Sequence, residues 1–257
     1  MEHPLSFLFE PVNKLLIALF GTPPELYQKW VGTAAGHGEN FPFPKGYWLP
    51  DHVVMAIVAV ALIALVLVAI SRKLSVDAPG KGQQMMELLL KGLHDLVEEV
   101  VGHGAGKEFM PFILGLAIFI FTCNIFGMFY FLQPPTGVPS TTFGLSITAF
   151  LFYNWVGIRK NGLGKYLKHF MGPLPALALL MVPIEIISHL ARILSLALRL
   201  FGNIMGEHTA TGIFFGMFPF LLPWPMMGLG IFGSLLQAFI FIMLTMAYLN
   251  GAVAEEH

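Results

Sequence analysis

Residues 53–70 form an apolar run without a charged side chain, and this run constrains the fold of the chain more than any other feature. An α-helix rises ~1.5 Å per residue, so about 20 such residues cross the ~30 Å hydrocarbon core of a bilayer. Asp51 precedes the run and Arg72 follows it, so the charged ends can remain in water. The sequence therefore predicts a membrane-spanning helix near residues 53–70.

The composition agrees with a protein that lies in lipid. Hydrophobic residues make up 56% of the 257 residues and charged residues 11%, whereas a soluble domain is typically ~25% charged. The net charge of −1 does not suggest a nucleic-acid partner. The single cysteine, Cys123, excludes a disulfide framework within the chain. We expect an all-α polytopic membrane protein, and we expect no cleaved leader, because the apolar stretch at residues 15–20 is short.

Four further apolar segments are long enough to span a bilayer, which makes about five spans in total. They lie near residues 109–133, 142–158, 176–218 and 226–252. Residues 83–101 alternate apolar and charged side chains at helical spacing and predict an amphipathic surface helix. The 176–218 segment would extend roughly 60 Å if unbroken, so it must tilt strongly, lie partly in the membrane or break. We favour a strongly tilted helix that pairs with 226–252 as a C-terminal hairpin.

The distribution of basic residues predicts the orientation of the chain. The connections at residues 71–107 and 159–168 carry nine of the fourteen Lys and Arg residues, whereas 134–141 and 219–227 carry none. Because short cytoplasmic loops are enriched in Lys and Arg, we place the two basic connections inside. Five spans then put an N-terminal segment, residues 1–50, outside and the C-terminus in the cytoplasm. This is the topology of a multi-pass membrane protein.

The last two predicted spans carry an unusual number of polar side chains. These are Glu185, His189, Arg192, Arg199, Asn203, Glu207, His208 and Gln237. A central Arg costs ~2.5–3.5 kcal/mol on insertion scales, so ionisable residues inside a membrane normally face protein or water and mark ion pathways. The sequence therefore predicts an ion path along this hairpin.

Helical spacing places Arg192, Arg199 and Asn203 on one stripe with Glu185 nearly in line, whereas Glu207 and His208 lie off it. Along the predicted helix Glu185 is nearer the cytoplasm and Glu207 nearer the outside, with Arg199 between them. This order suggests two access routes separated by a fixed positive charge that blocks proton leakage. No Asp or Glu of this chain lies at mid-membrane opposite Arg199, so we expect a partner subunit to carry the proton-binding carboxylate.

Two segments resemble the ATP synthase subunit a family of bacterial F-type enzymes. They are Ser195-Leu-Ala-Leu-Arg-Leu-Phe-Gly-Asn203 and Leu236-Gln-Ala-Phe-Ile-Phe-Ile-Met-Leu-Thr-Met-Ala-Tyr-Leu249, followed by Glu255-Glu-His257. The resemblance also covers Asn124 and the spacing from Glu185 to Arg199. It implies that Arg199 is the stator arginine facing the ring of c subunits, with Asn203 and Gln237 as its polar neighbours. It further implies Glu185 in an inner half-channel, His208 in an outer half-channel, and a peripheral stalk of subunit b.

The chain departs from the family pattern at Gly230 and Gly127, where some members carry titratable residues. Glu207 stands where others often have Gly, and we hypothesise that it compensates for Gly230. Four further residues are possible lining of the half-channels: Asn124, Ser146, His189 and Arg192. Each also has a structural interpretation, in helix packing, in hydrogen bonding between helices or at the interface.

The rival functions have weaker support in the sequence. A secondary transporter also buries Arg, Glu and His near the midplane, but its usual pair of broken segments in two equal halves is absent from the pattern. A quinone- or haem-dependent membrane enzyme would need facing histidines in two spans, which the sequence does not offer. We expect a non-catalytic subunit without cofactor or metal, conducting H⁺, with Na⁺ as the alternative ion.

Overall fold

A computed structural model describes residues 8–24, 49–72, 74–75, 80–102, 104–128, 132–171, 178–217 and 223–253. Within these ranges the chain is helical, with one 3₁₀ turn at Pro135–Gly137 and no β-strand. The helices are α1 (Phe9–Phe20), α2 (Asp51–Ser71), α3 (Lys81–Val101), α4 (Ala105–Phe126), α5 (Pro139–Met171), α6 (Ala178–Met217) and α7 (Pro223–Val253). The all-α class is therefore confirmed.

Five helices of the described chain are long and apolar enough to cross a membrane. The apolar segments are Asp51–Ser71, Ala105–Phe126, Pro139–Gly162, Met181–Phe214 and Trp224–Val253. The expected number of spans is thus confirmed. The second of them ends at Phe126 rather than near residue 133, because the Gly127 N–H turns back to the carbonyl of Asn124 at 3.0 Å.

The two remaining helices, α1 and α3, carry both polar and exposed apolar side chains. Leu88 and Leu89 of α3 are 72% and 59% exposed, next to the charged residues Glu87 and Lys91. Helix α3 therefore has the amphipathic character that the sequence predicts for residues 83–101, and it begins slightly earlier, at Lys81. Helix α1 was not predicted, because its apolar stretch is too short to stand out.

Helix α6 continues without a break from Ala178 to Met217, although Pro183 lies in its second turn. A proline removes one backbone hydrogen bond, and near the start of a helix this loss is best tolerated. Of the three alternatives for this long segment, a break is therefore wrong for residues 178–217. A strong tilt stays a prediction.

The described chain divides into two compact units, each of which takes part of α4, α5, α6 and α7. The first unit comprises the described residues of Met1–Lys73, Ile118–Thr142 and Arg199–Ala238. The second comprises those of Leu74–Ala117, Phe143–Leu198 and Phe239–His257. The sites below are described within each unit separately.

In the first unit, the core between α2 and α4 is apolar. Met55, Ala59 and Cys123 are completely buried, and Phe126 packs with them. The buried side-chain amide of Asn13 joins α1 to Leu49, which precedes α2. Asn13 Oδ1 accepts the Leu49 N–H at 2.9 Å, and Asn13 Nδ2 donates to the Leu49 carbonyl at 3.1 Å. Both ends of this amide are therefore satisfied by backbone.

In the second unit, a carboxylate shapes the turn between α3 and α4. Glu98 accepts the backbone N–H groups of Gly104 and Gly106, each at 2.8 Å. Gly102 and Gly104 adopt φ values of 118° and 86°, which favour glycine. Glu98 thus satisfies N–H groups at the start of α4 that have no partner within the helix.

Candidate functional site

Arg199 lies on α6 in the first unit, and its side chain is exposed. The guanidinium makes no hydrogen bond or ion pair with another residue that the structure describes. Asn203, one turn further along, is also exposed, whereas Leu200 and Ile204 are 0% and 2% exposed. Because an arginine facing hydrocarbon costs at least ~3 kcal/mol, this face of α6 must lie against water or another protein.

The carboxylate of Glu207 lies against α7 at a pair of glycines. A Cβ atom at Gly230 would collide with Glu207 Oε1, and a Cβ at Gly233 would lie 3.5 Å from Oε2. The missing side chain of residue 230 therefore makes the room that the carboxylate occupies. Glu207 and the neighbouring His208 are both half-buried, and His208 has interactions of its own.

Three buried polar atoms of the first unit have no hydrogen-bond partner among the described residues. They are Asn124 Nδ2, Ser234 Oγ and Gln237 Nε2. The other end of the Asn124 amide is satisfied, because Thr136 Oγ1 donates to its Oδ1 at 2.8 Å. An unpaired amide or hydroxyl in an apolar medium costs several kcal/mol, and water is the usual partner in such sites. These atoms can therefore take water or a group of another subunit as hydrogen-bond partner.

The polar groups of the second unit, by contrast, face each other. His189 is 9% exposed, its Nδ1 lies 3.2 Å from the Tyr153 hydroxyl, and its Nε2 lies 3.5 Å from Glu185 Oε1. Arg192 Nη2 lies 3.9 Å from the same Glu185 oxygen. The Arg192 guanidinium also stacks over the Tyr248 ring, 5.1 Å from its centre. Helices α5, α6 and α7 thus all contribute to one cluster of titratable and charged groups.

A second tyrosine extends this cluster along α5 beyond the membrane-spanning segment. The Tyr166 hydroxyl donates to Asn154 Oδ1. Burial, followed by the nearby Tyr153, raises the pKa of Tyr166 to about 12. Tyr166 therefore stays a protonated hydrogen-bond donor at neutral pH.

The predicted site residues divide between the two units. The first unit contains Arg199, Asn203, Glu207, His208, Gln237 and Asn124, and the second contains Glu185, His189, Arg192 and Ser146. Glu185, His189 and Arg192 are brought together, as described above. Ser146 is completely buried on α5.

Sequence reasoning missed four polar residues of these surroundings. They are Thr136, Tyr153, Ser234 and Tyr248. Ser234 sits one turn before Gln237 on the same helix, so helical spacing offered a signal for it. The other three act through contacts between elements, which spacing along one helix does not reveal. Among the described residues, no group of three or more His, Cys, Asp or Glu side chains is arranged to hold a metal ion.

Five apolar helices with ionisable side chains inside them define a polytopic membrane protein with an intramembrane polar site. Residues 52–250 match the family described as ATP synthase A chain. The chain belongs to this family, and as a member it is a non-catalytic component of the F0 membrane sector.

Curated relatives cover most of the chain. Subunit a of ATP synthase from Solibacter usitatus is 45% identical over 207 residues, which is 80% of this chain and 88% of the relative. Subunit a 1 from Syntrophotalea carbinolica is 40% identical over 236 residues, 92% of this chain and 100% of the relative. Subunit a from Aliarcobacter butzleri is 36% identical over 228 residues, 89% of this chain and 96% of the relative.

Proposed function

We propose that this chain is the proton-conducting stator subunit of a rotary ATP synthase. Two offset half-channels load and unload the carboxylates of the c-ring and so couple proton flow to rotation. The observation that carries the proposal is Arg199, a cation inside a membrane-spanning helix, exposed and without a partner among the described residues. Such an arginine needs an anionic or aqueous neighbour, and the c-ring carboxylate supplies one.

The outer half-channel is formed by residues of the first unit. Protons enter past His208 and Glu207, and Asn203 and Gln237 hydrate the path to the ring, with Asn124 as further lining. The unpaired buried atoms of Asn124 and Gln237 support this role, because they call for water in the same unit. Glu207 replaces the missing titratable group at position 230, which the fit of its carboxylate against Gly230 supports.

The inner half-channel leads past Glu185. A ring carboxylate that has released Arg199 discharges its proton on this side, and His189, Arg192 and Ser146 line the route. Arg199 stays charged throughout, because an arginine side chain does not lose its proton in proteins. The proton therefore cannot cross directly, and must travel with the ring. The transmembrane potential contributes ~2.3 kcal/mol per charge per 100 mV to this movement.

The partners and placement follow from the same proposal. The exposed face of α6 with Arg199 meets the c-ring, subunit b holds the chain still, and the apolar side chains exposed on α2 face lipid. The chain lies in a bacterial inner membrane with its N-terminus outside and its C-terminus in the cytoplasm. The transported ion is H⁺ rather than Na⁺.

The test is ATP-driven proton pumping in inverted membrane vesicles that carry the assembled complex. We expect Arg199→Ala to abolish coupled pumping while the complex still assembles, because the barrier between the two half-channels is lost. Arg199→Lys keeps a positive charge without the guanidinium fork and should also fail to pump at a normal rate.

Arg72→Ala is the matched control, because Arg72 is an exposed arginine that follows the end of α2. It should pump normally. Normal pumping by Arg199→Ala would refute the stator role and return attention to a solute transporter.

A further inference from the structure

A hydroxyl, an imidazole and a carboxylate lie in series in the second unit: Tyr153, His189 and Glu185. We propose that His189 carries protons in series with Glu185 in the inner half-channel, and that Tyr153 is the positioning residue that orients its ring. This proposal rests on the proposed function above. It adds a second titratable carrier to the inner route, on the part of α6 between Glu185 and Arg192.

The geometry gives each ring nitrogen of His189 one partner of the right kind. The Tyr153 hydroxyl is 3.2 Å from Nδ1, and Glu185 Oε1 is 3.5 Å from Nε2. The two aromatic rings lie nearly parallel, with 17° between their planes and 6.2 Å between their centres. The ring of Phe150 meets the imidazole edge-on at 5.7 Å. The imidazole is therefore held in one orientation, with its nitrogens aimed at a hydroxyl and a carboxylate.

This arrangement suits both protonation states of the imidazole. In the neutral state Nε2–H points to Glu185, and Nδ1 accepts a hydrogen bond from the Tyr153 hydroxyl. A proton that binds Nδ1 makes an imidazolium, and the Tyr153 oxygen then accepts the Nδ1–H bond, because a hydroxyl is both donor and acceptor. The Nε2 proton passes to Glu185, which releases it to cytoplasmic water. One proton enters at Nδ1 and one leaves from Nε2, so the step is balanced. The Nδ1–H tautomer that results donates to the Tyr153 oxygen, and each later proton binds Nε2 from water and passes to Glu185, which leaves that tautomer unchanged.

The other groups that face the imidazole do not replace it as carriers. On α6, Arg192 approaches Glu185 but holds its proton permanently. On α7, Tyr248 lies 5.9 Å from the Tyr153 ring and beneath the Arg192 guanidinium. On α5, Tyr166 is linked to the cluster through Asn154. A tyrosine releases its proton only at about pH 10 or above, so near neutral pH it is a poorer proton carrier than an imidazole.

The decisive variant is His189→Gln. A glutamine amide can accept from Tyr153 and donate to Glu185, so the contact between α5 and α6 is kept, but the amide cannot carry a proton. His52→Gln is the matched control: His52 is also buried, its Nε2 lies 3.3 Å from the Ser140 hydroxyl, and it lies in the first unit outside the proposed machinery.

The experiment measures passive proton flow through the membrane sector. Inverted vesicles with intact complexes are stripped of the catalytic sector, and a potassium diffusion potential drives protons from the lumen to the medium. The medium faces the inner half-channel, and its pH is varied from 5.5 to 8. The ratio of variant to wild-type rate at each pH removes the change in driving force.

A positioned acid–base group typically contributes at least ~100-fold, and water can replace part of it, so we expect His189→Gln to conduct about tenfold more slowly at pH 8. The ratio should rise as the pH of the medium falls, because a carrier that is already protonated hands on protons less readily. Tyr153→Phe should slow conduction less and leave this pH dependence in place. His52→Gln should give a ratio near one at every pH.

A ratio that does not change with pH, or wild-type conduction in His189→Gln, would overturn the carrier role and leave His189 as a packing residue. Arg199→Ala separates this outcome from failure of the proposed function. Loss of coupled pumping in Arg199→Ala together with normal His189→Gln would refute only the His189 carrier.

Discussion

On α6 and α7, the two units of this protein differ in how their polar groups are partnered. In the first unit, Ser234 Oγ and Gln237 Nε2 are buried without partners among the described residues, and the exposed Arg199 has no partner among them either. In the second unit, Glu185 and His189 lie within contact distance of each other, and Tyr153 continues the series. Groups without a partner in the described part of the chain can bond to water or to another subunit. Paired groups can hold each other in place.

Under the proposed function, this difference implies two physical kinds of proton path. In the first unit, the protein contributes isolated polar atoms and water must connect them. In the second unit, side chains themselves stand in series at distances of 3.2 and 3.5 Å. A hydrated path tolerates small changes in geometry, whereas a path through side chains depends on the orientation of each ring. Substitutions in the two units should therefore fail in different ways.

The largest effect should come from filling the space beside Glu207. We expect Gly230→Leu to reduce ATP-driven pumping about tenfold or more, because any side chain at this position collides with the Glu207 carboxylate and must displace it. Gly228→Leu is the control on the same helix, since no atom lies within 4 Å of a Cβ there. Pumping is measured by quenching of a pH-sensitive dye in inverted vesicles.

Equal pumping by the two variants would show that α7 does not confine Glu207. The fit of the Glu207 carboxylate against Gly230 would then have no consequence for proton movement in the first unit. The second-site variant Glu207→Ala, combined with Gly230→Leu, sharpens the test. It removes the collision but not the need for a carboxylate, so pumping should stay low although the complex assembles normally.

A smaller effect should separate unpaired from paired hydroxyls. We expect Ser234→Ala to slow passive proton conduction about two- to threefold without loss of stability, because its hydroxyl has no partner among the described residues and can bond to water of the proposed path. Thr245→Val should do the reverse. Its hydroxyl donates to the Phe241 carbonyl at 2.8 Å, so the variant should lose about 0.5–1.5 kcal/mol of stability and conduct normally. Conduction and thermal inactivation of the complex are measured on the same preparations.

If Ser234→Ala raises the stability and leaves conduction unchanged, the site is dry and the hydroxyl is simply an unpaired polar group. The first unit would then hold no hydrated path at Ser234. That result would weaken the distinction between the units at the level of single atoms.

The sequence predicted the spans well because a membrane helix must be apolar over its full length. The run at 53–70 corresponds to α2, and the 176–218 segment to the continuous helix α6. The Ser195–Asn203 motif pointed to Arg199, and the family match agrees with the resemblance. These features are local, and each can be recognised in one stretch of chain.

The contacts between helices could not be predicted in the same way. Spacing along α6 placed Glu185 nearly in line with Arg192, but it did not indicate that Tyr153, 36 residues before His189, would meet the imidazole. Helical periodicity reports which residues share a face of one helix, and not which helix covers that face. The short helix α1 was missed because its apolar stretch is too short to stand out, and the contact of its buried Asn13 with Leu49 joins residues far apart in the chain.

The smallest predicted effect concerns Tyr166, at the edge of the second unit. Its pKa is raised to about 12 by burial, against ~10 for an exposed tyrosine, so the folded state disfavours the phenolate. A group with a raised pKa in the folded state contributes fully below the unfolded pKa and loses that contribution as the pH rises towards the folded pKa. We therefore expect the stability of the complex to fall between about pH 10 and 12, and Tyr166→Phe to remove part of this fall. Thermal inactivation midpoints at pH 8 and at pH 11 provide the measurement.

Because Tyr166 stays protonated near neutrality, proton pumping by Tyr166→Phe should follow the wild-type pH profile from pH 6 to 9. A changed profile would instead make Tyr166 part of the proton path and extend the side-chain series of the second unit beyond Tyr153.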